Sequence, residues 1–203
     1  MYKVGIIGCS WIALEAPDSH MNAYNEHPDT TVVALCDING KADLIDYMDL
    51  DVDIVSVCTP VETHCKIVTD IAPKVKAIWC EKPIATTLED ALLMINTCRL
   101  YGTTLVVNHQ RNYMNPKFTF SRGMLHTGTH VFALIEHLFR PEIEVDIDFR
   151  DTDERIFELD CTHSTERMLP NVLKFIVDKL DNDELYLDYN ALNALRRCLC
   201  TQS

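Results

Sequence analysis

The sequence predicts an α/β protein. An N-terminal Rossmann-like, mostly parallel sheet, lacking part of the usual helix and strand set, is followed by a reduced α+β C-terminal domain. Three observations carry this. Five short runs are apolar along their whole length rather than alternating, as strands buried on both faces require. Segments with helical spacing separate them, so strand and helix alternate. After Asn108 that rhythm stops, and polar, aromatic and period-two stretches take over. The boundary falls near residues 110–115, giving domains of 1–112 and 113–203.

The strands read, in order, as Lys3–Gly8, Thr30–Cys36, Asp53–Cys58, Lys76–Cys80 and Thr103–Val107. Between the first two, Met21, Ala23 and Tyr24 form a weak helical stripe that Pro28 stops. Ile67, Val68 and Ile71 stand at helical spacing before Pro73. Leu88–Leu100 is the best helix, with Thr87 as N-cap, Asp90 three residues on and Gly102 as the residue after its end. Its expected inner face is Leu88, Ala91, Leu92 and Ile95. Beyond the boundary, Met124–Phe139 reads as a helix and Glu142–Phe149 and Arg155–Leu159 as half-exposed strands. Pro170–Leu180 and Asn190–Leu199 read as closing helices.

The net charge of −13, from 31 acidic and 18 basic residues, repels phosphate backbones and acidic leaflets. No nucleic-acid partner and no membrane partner is expected. No apolar run approaches the roughly 20 residues a bilayer span needs. The opening apolar stretch is broken by Gly5, Gly8 and Ser10, so it reads as a buried strand rather than a signal peptide. The nine cysteines include no Cys-x-x-Cys pair, and Cys36, Cys58 and Cys80 sit in apolar runs. They read as reduced, buried thiols of a cytoplasmic protein.

Three motifs sit where strands end. The first is Gly8-x-Ser10-x-x-Ala13, after the first strand and before an expected helix start. Backbone N–H groups and a helix dipole there suit a pyrophosphate. Ser10 stands where a glycine is expected, so it must hold a strained or positive φ or shift the turn. Taken alone, the frame fits a phosphate cradle and equally an ordinary strand followed by a turn. The second is Asp37, placed to accept from a ribose 2′-hydroxyl and to repel a 2′-phosphate, which favours NAD over NADP; an ordinary strand-ending aspartate looks the same. The third pairs "CTPVETH" with "WCEKPIA" at the ends of two further strands.

Together, "VGIIGCSWIA", "VVALCDIN", "DVDIVSVCTPVETH", "AIWCEKPIATTLEDA" and "LVVNHQRNYMNP" closely resemble the glucose–fructose oxidoreductase / inositol dehydrogenase / MocA family. "GMLHTGTHVFALIEHLF" and the C-terminal tail continue the likeness. The resemblance implies a nicotinamide-binding Rossmann domain, a C-terminal α/β domain and hydride transfer at a hydroxyl carbon of a sugar, inositol or nucleotide sugar. It places the substrate- and nicotinamide-contacting lysine at Lys82, beside Glu81 and Pro83, in a peptide to proline that is commonly cis. It places the hydroxyl-proton histidine at His130, and Thr59, Pro60 and His64 along the cofactor. The cofactor-binding candidates are thus Gly8, Ser10, Trp11, Ile12, Asp37, Thr59, Pro60, His64, Glu81 and Lys82; the catalytic candidates are Lys82, His130 and His126.

The sequence also departs from that family. His126 stands one helical turn before His130, where the family usually carries an acid, and Ala133 replaces another acid that often follows. No third ligand is spaced to complete a metal site with the two histidines, so no metal is expected. Only 15 residues separate Asp37 from Asp53, and 13 separate Pro116 from His130. The C-terminal sheet is therefore expected to expose edges and apolar surface, which implies a homo-oligomer formed through that domain. The functional readings are an NAD-dependent dehydrogenase acting on a sugar-like small molecule, a non-catalytic NAD-binding protein of the same family, and an interaction protein without cofactor.

Overall fold

The computed structural model describes residues 1–37, 47–109, 149–151, 157–159 and 168–200. The strands β1 (Tyr2–Ile7), β2 (Thr30–Cys36), β3 (Ile54–Val57), β4 (Ala77–Cys80) and β5 (Thr104–Val107) form one sheet in the order β2-β1-β3-β4-β5. Every neighbouring pair is parallel. β1, β3, β4 and β5 are buried almost throughout, as their unbroken apolar composition demands. β2 is an edge strand, and its Val33 is 52% exposed.

Successive residues along each strand feed opposite faces. Ile6, Ile54, Trp79 and Val106 point to one face, where α1 (His20–Glu26) and α4 (Leu169–Asp181) cover them through Tyr24, Leu169, Leu173 and Ile176. Ile7, Val55, Ile78 and Leu105 point to the other. There α2 (His64–Ile71), α3 (Leu88–Tyr101) and α5 (Tyr189–Cys200) bury Val68, Ile71, Met94, Ile95 and Leu195. Each such fully buried aliphatic side chain contributes about 1.5–3 kcal/mol.

α3 begins and ends where its flanking residues dictate. The Thr87 hydroxyl accepts from the Asp90 N–H, and Gly102 takes a left-handed φ of 70° that stops the helix. Its inner face differs from the sequence expectation at one position. Leu92 is 44% exposed, and Met94 and Cys98 lie inward instead. The helix packs against both α2 and α5, which rotates the buried stripe away from Leu92.

The tail, assigned by sequence to a second domain, supplies the outer layers of the first sheet. The Asp18 carboxylate accepts from the Met168 and Leu169 N–H groups and so caps α4 across 150 positions. The Asp188 carboxylate accepts from Val107 and from Ala191, tying the start of α5 to β5. Leu105 donates to the Tyr186 carbonyl and accepts from Asp188, so the segment before α5 covers the open edge of β5. A separate antiparallel pair, β6 (Phe149–Asp151) with β7 (Phe157–Leu159), matches part of the two period-two runs. Met124–Phe139, with His126, His130 and Ala133, lies outside the described residues, as does most of the proposed oligomer surface. No helix among the described residues is long and apolar enough to cross a membrane.

Candidate functional site

The C-terminal ends of parallel strands are where open α/β sheets bind ligands. Here that edge gathers Gly8–Ile12 after β1, Asp37 after β2, Thr59 and Pro60 after β3, Glu81 and Lys82 after β4, and Asn108 and His109 after β5.

The turn after β1 is built around Gly8. Its φ is +89°, and a Cβ there would lie 2.8 Å from the carbonyl carbon and oxygen of Cys58 and from Thr59 Cγ2. Only glycine permits both the conformation and this approach of two strand ends. The Gly8 N–H donates to the Cys36 carbonyl, and the Cys9 N–H donates to Asp37 Oδ2 at 2.7 Å. Asp37 therefore holds the turn against the tip of β2 as well as standing at the position expected for ribose recognition.

Ser10 carries no strain. Its φ of −73° and ψ of 170° are ordinary extended values, because the positive φ of the turn falls on Gly8. Of the two outcomes expected for Ser10, a strained φ or a shifted turn, the first does not occur. The expected helix start also differs. Trp11–Glu15 forms a single five-residue π-helical turn, and Ala16 leaves it in an extended conformation before Pro17. Proline disfavours a helical residue before it and cannot continue the hydrogen-bond ladder. Little helix dipole is present, so an anion at this turn relies on local donors.

Those donors are there. Among the described residues, the N–H groups of Ser10, Trp11 and Ile12 have no acceptor, while those of Ala13 and Leu14 both donate to the Ser10 carbonyl. Ser10 Oγ is a buried hydroxyl oxygen with no partner. Three consecutive amides and one hydroxyl without partners, next to a glycine cradle and an aspartate, fit the phosphates and ribose of a dinucleotide.

Thr59 abuts this turn, Pro60 follows it, and His64 is turned inward from them. His64 is 1% exposed; Nε2 lies 3.0 Å from the Thr59 carbonyl and Nδ1 3.1 Å from that of Pro83. The imidazole braces the β3 and β4 loops against each other, so it shapes the edge from beneath.

The Lys82–Pro83 peptide is cis. Glu81 beside it is buried, yet its carboxylate has a full set of donors. Oε1 accepts from His20 Nε2–H at 3.0 Å and from Asn108 Nδ2–H, and Oε2 accepts from the Lys82 N–H at 3.2 Å. Burial works to raise its pKa, but the His20 and Asn108 hydrogen bonds and the Lys82 charge hold it below the usual carboxylate value. His20 is itself buried, its ring packed against Trp79 at a centroid distance of 3.9 Å and tilted by 42°, with Nδ1 2.9 Å from Ser56 Oγ. Tyr24 OH lies 2.8 Å beyond that hydroxyl. His109 is 1% exposed, and burial followed by the Lys82 charge pushes its pKa down to about 3. Lys82 is half-buried at the rim.

Sequence reasoning singled out Glu81 and Lys82 but not His20, Ser56, Asn108 or His109. Asn108 and His109 carried a usable signal, since they follow β5 as Glu81 follows β4. His20 carried none: it lies 61 positions from the carboxylate it binds.

Comparison with known proteins bears on this edge. Residues 2–109 match the model of an oxidoreductase family described by its NAD-binding Rossmann fold. The 2,7-anhydro-N-acetylneuraminate hydratase of Escherichia coli is 28% identical over 128 residues, 57% of this chain and 33% of that protein. The D-apiose dehydrogenase of Paraburkholderia graminis is 28% identical over 123 residues, 53% of this chain and 32% of that protein. The aligned span is thus about a third of the length of these curated relatives. An Agrobacterium radiobacter oxidoreductase crystallised with NAD+, L-tartaric acid and magnesium shares the fold, with a TM-score of 0.70 at 15% identity, over 98% of this chain and 94% of that one.

Proposed function

The chain belongs to the Gfo/Idh/MocA oxidoreductase family, matched over its NAD-binding Rossmann fold, and on that premise we propose that it transfers a hydride between a nicotinamide dinucleotide and a hydroxyl-bearing carbon of a sugar, inositol or nucleotide sugar. The observation that carries this reading is the partnerless set at the first turn: the Ser10, Trp11 and Ile12 amides and the Ser10 hydroxyl, with Asp37 beside them. The D-apiose dehydrogenase among the relatives supports a sugar-like substrate class.

The residues divide the work by position. The turn amides and the Ser10 hydroxyl hold phosphate oxygens. Asp37 accepts from a ribose hydroxyl and disfavours a 2′-phosphate, which selects NAD over NADP. Thr59 and Pro60 line the path from turn to rim. When bound, the nicotinamide supplies the hydride acceptor or donor. The Lys82 ammonium stabilises negative charge on the substrate oxygen as its proton leaves. His130 takes and returns that proton, because an imidazole titrates near neutral pH. His126, four residues earlier in the sequence, makes a second polar contact to substrate.

The short span between Pro116 and His130 favours a second reading, an NAD-binding module without turnover. NAD reduction with a panel of sugars, inositols and UDP-sugars separates the two. The expected result is turnover of at least one of them, reduced by about a hundredfold or more in Lys82→Ala. Undiminished turnover in that variant removes Lys82 from the site; cofactor binding with no turnover anywhere favours the module. The reading also places the protein in the cytoplasm as a homo-oligomer joined through the segment after residue 112. Sedimentation showing only monomer at micromolar concentration contradicts the oligomer.

A further inference from the structure

We propose that His20 is a positioning residue for the nicotinamide end of the site, acting through Glu81 on the main chain of Lys82. This rests on the dinucleotide reading above and adds to it a group that touches neither cofactor nor substrate.

The buried Glu81 carboxylate receives donors from three places: α1 through His20, the end of β5 through Asn108, and its own loop through the Lys82 N–H. A buried carboxylate binds its donors strongly, because each replaces lost water. It therefore fixes the loop that carries Lys82 relative to the tips of β4 and β5. Asn108 is set by its own partner, accepting from Trp79 Nε1–H at 3.2 Å. His20 is set on both sides. Its Nε2 lies against the carboxylate, its Nδ1 against Ser56 Oγ, and Tyr24 OH against Ser56 Oγ. A relay in which Tyr24 OH donates to Ser56, Ser56 to Nδ1 and Nε2–H to Glu81 satisfies each group and leaves no donor over. The Trp79 ring closes one side of the imidazole, so few other placements are open to it.

Such a chain is more than packing can require. An apolar residue of the same shape at position 20 would fill the space against Trp79. What it could not do is hold the Glu81 carboxylate toward the Lys82 N–H. Loss of the imidazole should therefore disturb the Lys82 end of the edge and leave the turn after β1 alone.

Two ligands that differ only at that end test it. ADP-ribose has the adenosine, pyrophosphate and second ribose but no nicotinamide; NADH has all of them. In His20→Phe, which keeps a ring against Trp79, NADH affinity should fall roughly five- to tenfold while ADP-ribose affinity stays within about twofold. His20→Gln, whose amide can still donate to Glu81, should recover most of the NADH affinity. Ser56→Ala deletes one oxygen and should shift NADH alone, by about two- to threefold, so the test stands if His20→Phe does not fold. Equal losses for both ligands, or no loss for NADH in the folded variants, overturns the positioning role. Wild-type protein that binds neither ligand instead overturns the dinucleotide reading on which it rests.

Discussion

Between pH 7 and pH 5 His109 is expected to cost the protein about 2 kcal/mol of stability, and His109→Gln is expected to remove that contribution. His109 is almost fully buried beside the Lys82 charge, and its pKa is pushed down to about 3. An unfolded histidine titrates near 6.5. The unfolded chain therefore binds a proton that the folded one refuses, from about pH 6.5 down to about pH 3. Stability is complete above the unfolded value and is lost as pH falls through this window toward the folded one. Glu81 and Asp53 are also held below their usual values, and they act in the same direction only once carboxylates begin to protonate, below about pH 4.5. The interval from pH 7 to pH 5 lies above the carboxylate window, and within it the difference between wild type and His109→Gln reads this one histidine. Urea denaturation of both proteins at the two pH values reads the slope. An unchanged slope in His109→Gln assigns the acid sensitivity elsewhere.

Gly8→Ala should be the most damaging single-atom change at the candidate site. The left-handed φ costs about 1–2 kcal/mol for an alanine. The new methyl meets main-chain atoms of Cys58 and the Thr59 side chain at 2.8 Å, and backbone cannot yield cheaply. Overpacking of this kind adds about 1–3 kcal/mol. The total, about 2–5 kcal/mol, should appear as a marked fall in Tm together with loss of NADH binding, since relief of the clash displaces the Ser10–Ile12 amides. Gly102→Ala is the control. Its φ is also positive, at 70°, but nothing lies within 4 Å of the added Cβ. It should lose about 1 kcal/mol and keep full NADH affinity. A Gly8→Ala protein as stable as wild type would show that this turn is not the tight junction described.

The parts of the fold that were legible are those written in local chemistry. Thr87, Asp90 and Gly102 mark the ends of α3 because capping is decided within a few residues. β1, β3, β4 and β5 are legible because burial on both faces leaves few polar positions to disguise them, and β2 because its run stays apolar even though it is an edge strand with Val33 exposed. The inner face of α3 was less so, since Leu92 and Met94 are equally apolar and only contact with α2 and α5 chooses between them. The conformation of Ser10 was not legible, because spacing does not say whether the positive φ of this turn falls on Gly8 or two residues later. The layer formed by α4 and α5 was hidden by distance in the chain: their tie points, Asp18 and Val107, lie 150 and 81 positions away. The support beneath Glu81 was hidden for the same reason. A single histidine in "DSHMNAY" gives no hint that it faces a carboxylate just beyond the end of β4.

The edge formed by Gly8–Ile12, Asp37 and Lys82 is the proposed nicotinamide dinucleotide site. Titration of the wild-type protein with NADH, followed by the fluorescence of the reduced nicotinamide, tests it most directly. The expected result is saturable binding that ADP-ribose competes away and that Gly8→Ala abolishes. No change in fluorescence and no thermal shift at millimolar NADH would contradict it.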